Sequence, residues 1–306
     1  MQSSEKSQRE ASADSSTTRN RGFRFNIRTL LLLMLVLSGP LAWFAHYRRV
    51  NERTSQLMLE LRRERGVRGS FFASTQPDFL EPLVGFRHKI SQIDFGQPCD
   101  FSDADLKRLA GFREVPGLSL FNTQLTPNGF AYLPTVPGLK RLDLRGTPFG
   151  DESIKWLHSI DGLERLDLRD TQITDEGMAE IAKLSTLRVL HLAAKVKDDG
   201  ILALSAHPRL QVLNVSDSQV TDRGIAVAAT LPELKTLLFA RTAVTNQGMQ
   251  AIQAAPKLSL IAANGTKVSG DWLEKVNVKP NLRWRPYSKV DSQAHPEVTF
   301  AGQGHY

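Results

Sequence analysis

The residues best suited to catalysis or metal binding in this sequence are seven histidines and a single cysteine, Cys99. No histidine stands at metal-ligand spacing from a second histidine, a cysteine or a carboxylate in the same motif. One cysteine alone builds neither an intramolecular disulfide nor a zinc site. The sequence also lacks a nucleophile elbow, a phosphate-binding loop and a dinucleotide fingerprint. We therefore predict no catalytic site, no metal site and no cofactor. An enzyme would require a pocket that joins His191 to distant carboxylates.

A second set of candidates is charged and repeats along the chain. Three residues alternate as arginine, aspartate and arginine, and the same triplet recurs 24 residues later. Arginine grips carboxylates with paired hydrogen bonds, so this pattern suits docking of a protein or peptide. In register with the triplets, the next two repeats place a histidine and an asparagine. The predicted binding residues are Arg141, Asp143, Arg145, Arg165, Asp167, Arg169, His191 and Asn214.

These residues are positioned by a repeat whose clearest copy runs from Leu163 to Thr186. Leu166 and Leu168 alternate as in a short strand, whereas Met178 and Ile181 have the spacing of a helix face. One unit therefore predicts one strand and one helix. The leading apolar position recurs at intervals of 24, 24, 24, 23, 24 and 24 residues. It is occupied by Val115, Leu139, Leu163, Leu187, Leu210, Leu234 and Leu258.

Each helix is predicted to begin near an acidic or amide residue that suits the first turn by side-chain capping and by the helix dipole. These residues are Asp103, Asp151, Asp175, Asp222 and Asn246. Glycines occupy one repeat position nearby, and their recurrence indicates a structural role. They are Gly129, Gly177, Gly200, Gly224 and Gly248.

With the pattern LxxLxLxxTxITDxGLxxLxxL over residues 163–184 and about eight units between 90 and 276, the chain resembles the leucine-rich repeat family. The resemblance implies an α/β fold, a right-handed solenoid with parallel strands on the concave face and helices on the convex face. It also implies that a polar residue after each strand hydrogen-bonds the turning backbone, which makes Cys99 structural. Lys195 occupies this position in the fifth unit, so the column should break there. The column reads Cys99, Thr123, Thr147, Thr171, Ser218, Thr242 and Thr266.

On the concave face two interpretations of the charged residues compete. In one, the arginines and aspartates pair across the sheet and are simply solvated, each pair contributing less than about 1 kcal/mol. In the other, the arginines grip a partner's carboxylates while the less charged columns receive an apolar segment. Those columns carry Val189, His191, Ala193, Val212, Asn214, Ser216, Thr236, Leu238 and Ala240.

The positive charge of the chain is concentrated at its beginning. Residues 1–68 hold thirteen Lys and Arg against six Asp and Glu, which accounts for the whole formal charge of +7. The remaining 238 residues hold 26 bases and 26 acids. A neutral repeat region argues against nucleic acid as a partner.

Residues 29–47 contain no charged residue and, at about 1.5 Å per residue in a helix, match the thickness of a bilayer core. With the basic flank, residues 21–47 are predicted to be a transmembrane anchor. A cleaved signal peptide and a buried core helix are the alternatives. The first lacks an A-x-A cleavage site, because Trp43 or Pro40 falls at the third position upstream. The arginines on the two sides of this segment do not predict its orientation in the membrane. A short polar leader favours a single-pass protein with extracytoplasmic repeats.

The rest of the chain is divided by composition. Residues 1–20 and 289–306 are predicted to be disordered tails, because they lack the periodic apolar residues of a core. Residues 48–66 are predicted to be a juxtamembrane helix whose thin apolar stripe offers weak self-association. Residues 67–89 form a bridge and N-terminal cap, and 90–288 the solenoid.

The sequence thus predicts a membrane-anchored, non-catalytic leucine-rich repeat protein that binds a protein or peptide. The alternative is a structural envelope or scaffold protein without a specific ligand. The arrangement of anchor, arginine-rich stalk and repeats also resembles membrane-anchored leucine-rich repeat proteins of planctomycete-type bacteria.

Overall fold

The computed structural model describes residue 38, residues 56–63 without 58 and 62, 67–73, 88–95, 101–270 without 113, and 282–284. All but residue 38 belong to the part Arg48–Tyr306, and the other part is Met1–Tyr47. The predicted tails 1–20 and 289–306, and the anchor 21–47 apart from Ser38, lie outside these residues. Within the described ranges, no helix is long and apolar enough to cross a bilayer.

One sheet of ten strands runs in chain order through the repeats. Strands β2 to β10 are parallel, and β1 joins the first edge antiparallel to β2. The strands are β1 Val67–Ala73, β2 His88–Phe95, β3 Gly117–Ser119, β4 Arg141–Asp143, β5 Arg165–Asp167, β6 Val189–His191, β7 Val212–Asn214, β8 Thr236–Leu238, β9 Leu260–Ala262 and β10 Arg283–Trp284. The parallel solenoid predicted from the repeats is confirmed.

A helix follows the strand in units one to seven. Five of these are α-helices and two units use 3₁₀ turns instead. In unit two, Pro134 lies inside the 3₁₀ segment and supplies no backbone donor. The helices are α1 Asp103–Arg108, α2 Asp175–Ile181, α3 Asp198–Ala203, α4 Asp222–Ala228 and α5 Asn246–Ala254, with 3₁₀ segments Leu109–Gly111, Gly129–Thr135 and Asp151–Ser159.

The core lies between the sheet and the helices. The leading apolar position is at most 4% exposed in every unit from Val115 to Leu258, and Leu166, Met178 and Ile181 are fully buried. The register aligns equivalent residues of successive units, for example Leu166 beside Leu142 and Leu190. Each unit therefore covers the apolar residues of its neighbours, as a repeat protein requires.

At the N-terminal end, residues 74–87 of the predicted bridge and cap lie outside the described residues. Within residues 67–89 the structure places strand β1, which covers the sheet edge that would otherwise offer unpaired backbone groups. The predicted juxtamembrane helix is seen over the described part of residues 56–63. Its Leu61 is fully buried, Leu57 packs against the core, and Glu60 pairs with Arg108 at 3.0 Å. Leu57 and Leu61 of the predicted apolar stripe thus contact the core of the same chain.

The polar column after each strand behaves as the resemblance implied. Thr147 and Thr171 each donate a hydrogen bond of 2.6 Å to the carbonyl oxygen three residues earlier, and Ser218 does so at 2.5 Å. Lys195 has no hydroxyl and donates its ammonium to the Gln172 side chain instead. The column is therefore interrupted in unit five, as predicted, and Cys99 lies outside the described residues.

The acidic residue at the start of each helix has a role that the sequence did not show. Asp151 does not cap its own helix. Its carboxylate accepts hydrogen bonds from the backbone N–H of Thr174 at 3.0 Å and from its hydroxyl at 2.6 Å, in the next unit. Asp103, Asp198 and Asp222 bind Thr126, Thr221 and Thr245 in the same way. These carboxylates bond each unit to the following one.

The glycine column makes room for these carboxylates. A Cβ atom at Gly129, Gly177, Gly200, Gly224 or Gly248 would lie 2.0 to 2.6 Å from a carboxylate oxygen of the preceding unit. Unit three has Ser153 in this column, and the unit before it has Pro127, whereas each unit that precedes a glycine has aspartate at that position. Glycine is therefore present where a carboxylate from the neighbour has to fit.

Buried His207 predicts a pH-dependent stability. It is 3% exposed, and its ring contacts the Leu184 carbonyl at 3.2 Å and the Arg209 N–H at 3.4 Å. Burial lowers its pKa, against the effect of the Leu184 carbonyl. Because the unfolded chain then binds a proton more readily, stability is complete above about pH 6.5 and falls as the pH drops towards the lowered folded pKa. Urea unfolding at pH 7.5 and 5.5 should show a smaller loss in His207→Gln, and equal losses would contradict this prediction.

Candidate binding face of the sheet

All eight residues predicted to bind a partner lie on the sheet face that points away from the helices, called here the outer face. Strand register places Arg165 beside Arg141, and Asp167 beside both Asp143 and His191. Asn214 lies next to His191. The columns proposed from the repeat spacing are therefore real neighbours. Their side chains nevertheless fall into groups with different environments.

The two aspartates are occupied by the arginines that follow them. Asp143 accepts the Arg145 Nε at 2.9 Å and Nη2 at 2.6 Å, and its Oδ1 also accepts the Arg145 backbone N–H at 3.1 Å. Asp167 holds Arg169 with matching bonds of 3.0, 2.6 and 3.2 Å. The main pairing therefore runs along one strand, two residues apart, and not across the sheet as in the first of the two interpretations. Arg145 adds a longer contact across the sheet, 3.7 Å to Asp167.

This arrangement makes the aspartates structural. A carboxylate that accepts the N–H two residues on stabilises a tight turn at the end of the strand. Asp167 is 3% exposed, so it is buried and not solvated. Asn214 repeats the motif, because its Oδ1 accepts the Ser216 N–H at 2.9 Å.

Arg145 is also fixed by an aromatic ring that the sequence reasoning missed. Its guanidinium lies 4.8 Å from the centroid of Phe121, a cation–π distance. Burial acts to lower the Arg145 pKa, but its bond to Asp143 and the charge of Asp167 raise it overall. Phe121 stands 24 residues before Arg145, in the same column, which is the signal that could have identified it.

Arg165 has a different environment from Arg145 and Arg169. It is half-buried, and its guanidinium makes no hydrogen bond or ion pair with any residue that the structure describes. Burial lowers its pKa, and the negative charges of Asp167 and Asp143 oppose this shift without reversing it. Arg169 and Arg145 lower it further. Arg165 therefore keeps its donors available, at the centre of the charged part of the outer face.

Arg141 flanks Arg165 in the neighbouring strand. Burial lowers its pKa as well, and the charges of Glu164 and Asp94 oppose this. Asp94, on β2, extends the acidic row and was not among the predicted residues. Burial raises its pKa, helped by Asp143 and opposed by a 2.7 Å hydrogen bond from Gln92. Its outward position between Ile93 and Phe95 was the available signal.

The second half of the outer face offers less surface than predicted. His191 and Asn214 are each 2% exposed and contact each other at 3.2 Å between the His191 Nδ1 and the Asn214 Nδ2. Leu238 is 2% exposed, and Val189 and Val212 are 7% exposed. An apolar segment of a partner finds little accessible surface there. The candidate site is therefore concentrated on β4 and β5.

Among the described residues, no group of three or more histidines, cysteines, aspartates or glutamates is arranged to hold a metal ion. His191 lies beside Asp167, but that carboxylate is bound by Arg169 and contacted by Arg145. Asp167 is therefore not available to His191 as the carboxylate of an acid–base pair.

Comparison with known proteins identifies the repeat. The family profile described as "Leucine Rich repeat" matches residues 163–182, the unit from which the period was first recognised. Residues 163–182 thus match a single leucine-rich repeat. The parallel sheet and the recurrent buried leucines continue the same period through the neighbouring units.

Two solved structures similar to the solenoid are internalins of Listeria monocytogenes. Internalin C2 is 22% identical with a TM-score of 0.49, and the match covers 65% of this chain and 81% of that one. The internalin inlF is 16% identical with a TM-score of 0.46, covering 66% and 62%. Neither likeness supports an inference about function. The search of curated proteins finds no match.

Proposed function

We propose that this leucine-rich repeat protein binds a protein or peptide partner through the charged part of its outer face, and that it performs no catalysis. The observation that carries the proposal is Arg165. A half-buried guanidinium with no described partner is costly to keep in a folded protein, because burial removes water without replacing its hydrogen bonds. A partner that supplies those bonds recovers that cost on binding.

The rigid surroundings of Arg165 support a binding role. On both sides, Arg145 and Arg169 are held by paired hydrogen bonds to Asp143 and Asp167. Fixed neighbours lose little conformational entropy when a partner docks, so the face is preorganised. Solenoids use their sheet surfaces in this way because the repeats set side chains in regular columns.

We further propose that the protein is anchored in a membrane through residues 29–47, with the repeats on the extracytoplasmic side, in a bacterium of the planctomycete type. The nineteen uncharged residues of this segment, flanked by arginines, support the anchor. The sequence layout carries this part of the proposal. The neutral charge balance beyond residue 68 supports a protein partner in preference to nucleic acid.

A structural scaffold is the second candidate, and one observation favours it. The ion pairs of Arg145 and Arg169 satisfy most of the charge on the outer face internally. A face that only stabilises itself would tolerate charge reversal at Arg165 without any loss of partners.

A pull-down from native membranes distinguishes the two. If the proposed anchor is right, the chain stays in the membrane pellet after carbonate extraction. If the proposed orientation is right, a protease added to intact cells cuts the repeats. After detergent solubilisation, Arg165→Glu should reduce the captured partner by at least about tenfold, the effect of reversing a charge-assisted contact. Arg223→Glu is the matched control, because Arg223 is exposed on α4 and pairs only with exposed Asp199 among the described residues. Equal capture by both variants and the unaltered chain would eliminate the binding proposal.

A further inference from the structure

The charged part of the outer face contains both positive and negative groups. Strands β4 and β5 and the residues next to them bring together four guanidinium groups and two carboxylates, and Asp94, Glu164 and Asp170 add further negative charge close by. The arginines are Arg141, Arg145, Arg165 and Arg169, and the carboxylates are Asp143 and Asp167. Among these groups, the Arg165 guanidinium makes no hydrogen bond or ion pair with a described residue, so it is the group that an anionic partner can engage.

Both carboxylates already accept hydrogen bonds from other groups. The two oxygens of Asp143 accept bonds from the Arg145 backbone and side chain, and Oδ2 also accepts the Ser119 hydroxyl at 3.3 Å. The oxygens of Asp167 are taken by Arg169 in the same manner, with Arg145 at 3.7 Å. Neither carboxylate makes a hydrogen bond to Arg165 in the structure.

We propose that Arg165 is the anchoring cation of a site for an acidic peptide segment, in which an aspartate or glutamate of the partner accepts two parallel hydrogen bonds from the guanidinium. This inference rests on the proposed function and specifies the chemistry of the partner. The planar fork of arginine matches a carboxylate in this bidentate geometry, and burial strengthens the pair by limiting its screening by salt.

The environment favours peptide carboxylates over a phosphate group. Asp143 and Asp167 lie on the same face as Arg165 and repel a dianion more strongly than a single negative charge. Arg141 lies in the adjacent strand, at a strand spacing of about 4.8 Å, and places a second positive charge beside Arg165. A segment with several carboxylates therefore fits the columns better than one isolated anion.

The test uses the full chain in detergent and a rhodamine-labelled octapeptide of alternating glutamate and glycine, followed by fluorescence anisotropy. We expect the glutamate peptide to bind, and the equivalent glutamine peptide to bind at least about tenfold more weakly. Arg165→Gln should weaken binding by a similar factor, and Arg165→Lys should restore only part of it because lysine lacks the fork. Arg223→Gln should bind like the unaltered chain. Thermal unfolding verifies that Arg165→Gln is folded, since the substitution removes a half-buried charge without breaking a described side-chain contact.

Each outcome decides the inference separately from the proposed function. If Arg165→Gln binds the glutamate peptide as the unaltered chain does, the inference is wrong. If neither peptide binds while capture of the native partner still depends on Arg165, the partner is not acidic and the proposed function survives. If the peptide binds only after Asp291→Asn with Glu297→Gln, the face is occupied by the chain's own C-terminal segment, which also overturns the inference.

Discussion

Replacing Gly224 by alanine is expected to destabilise the solenoid by about 2 kcal/mol, although alanine is the better helix former. The new Cβ would lie 2.5 Å from Oδ1 of Asp198 and 2.8 Å from Cγ1 of Val220. Asp198 cannot retreat without losing its bonds to the Thr221 hydroxyl at 2.6 Å and to the Gly224 N–H at 3.0 Å. Urea unfolding of residues 48–306 measures the loss.

A double-mutant cycle identifies the cause. Asp198→Ala alone should cost about 2 kcal/mol, because it removes charge-assisted bonds between two units. With Asp198→Ala present, Gly224→Ala should cost less by about 1 kcal/mol, since the main clash has been removed. Ser153→Ala is the matched control, in the same column behind Pro127, and should change stability by less than about 0.5 kcal/mol. Additive costs at Asp198 and Gly224 would show that the carboxylate does not explain the glycine.

Replacing Leu61 by alanine is expected to cost about 3 kcal/mol and to loosen the N-terminal units first. Leu61 is fully buried in the same core as the repeats, and truncation leaves a cavity at the end of the stack. Because stability in a solenoid depends on contacts between neighbours, loss of the cap should spread from unit one towards the middle. Hydrogen exchange should therefore rise in β2 and α1 before it rises in β7.

Leu59 supplies the control on the same helix. It is 64% exposed, so Leu59→Ala should change neither the unfolding free energy beyond about 0.5 kcal/mol nor the exchange pattern. Similar effects from the two substitutions would mean that the helix at residues 56–63 does not act as a cap. A uniform increase in exchange across all units would point to global destabilisation in its place.

Much of the fold was predictable because its signal is local and repeated. A leucine recurs every 24 residues and is followed by a strand position such as Leu166 and a helix position such as Met178. These residues can all be buried only if strand–helix units stack on one another. The register confirmed the predicted neighbours, including Arg141 beside Arg165. Strand β1 was missed, because residues 67–73 follow no repeat and pair with a strand about twenty residues away.

The candidate site was predictable only as a set of columns. Arg145 and Arg165 have the same type and the same spacing, yet one is bound to Asp143 and the other has no described partner. The difference depends on which side-chain conformation brings two groups within about 3 Å of each other, and periodicity carries no information at that scale. The burial of His191 and Asn214 was likewise invisible in the pattern.

The sequence by itself determined the repeat, the buried face of each element and the neutral charge of the solenoid, because hydrophobic periodicity is a property of a single chain segment. Only the tertiary structure decided how charges are shared between units. It assigned Asp198 to Thr221 across units, made room for it at Gly224, and left Arg165 without a described partner. These outcomes depend on distances between residues of different units, and the fold sets those distances after the local elements have formed.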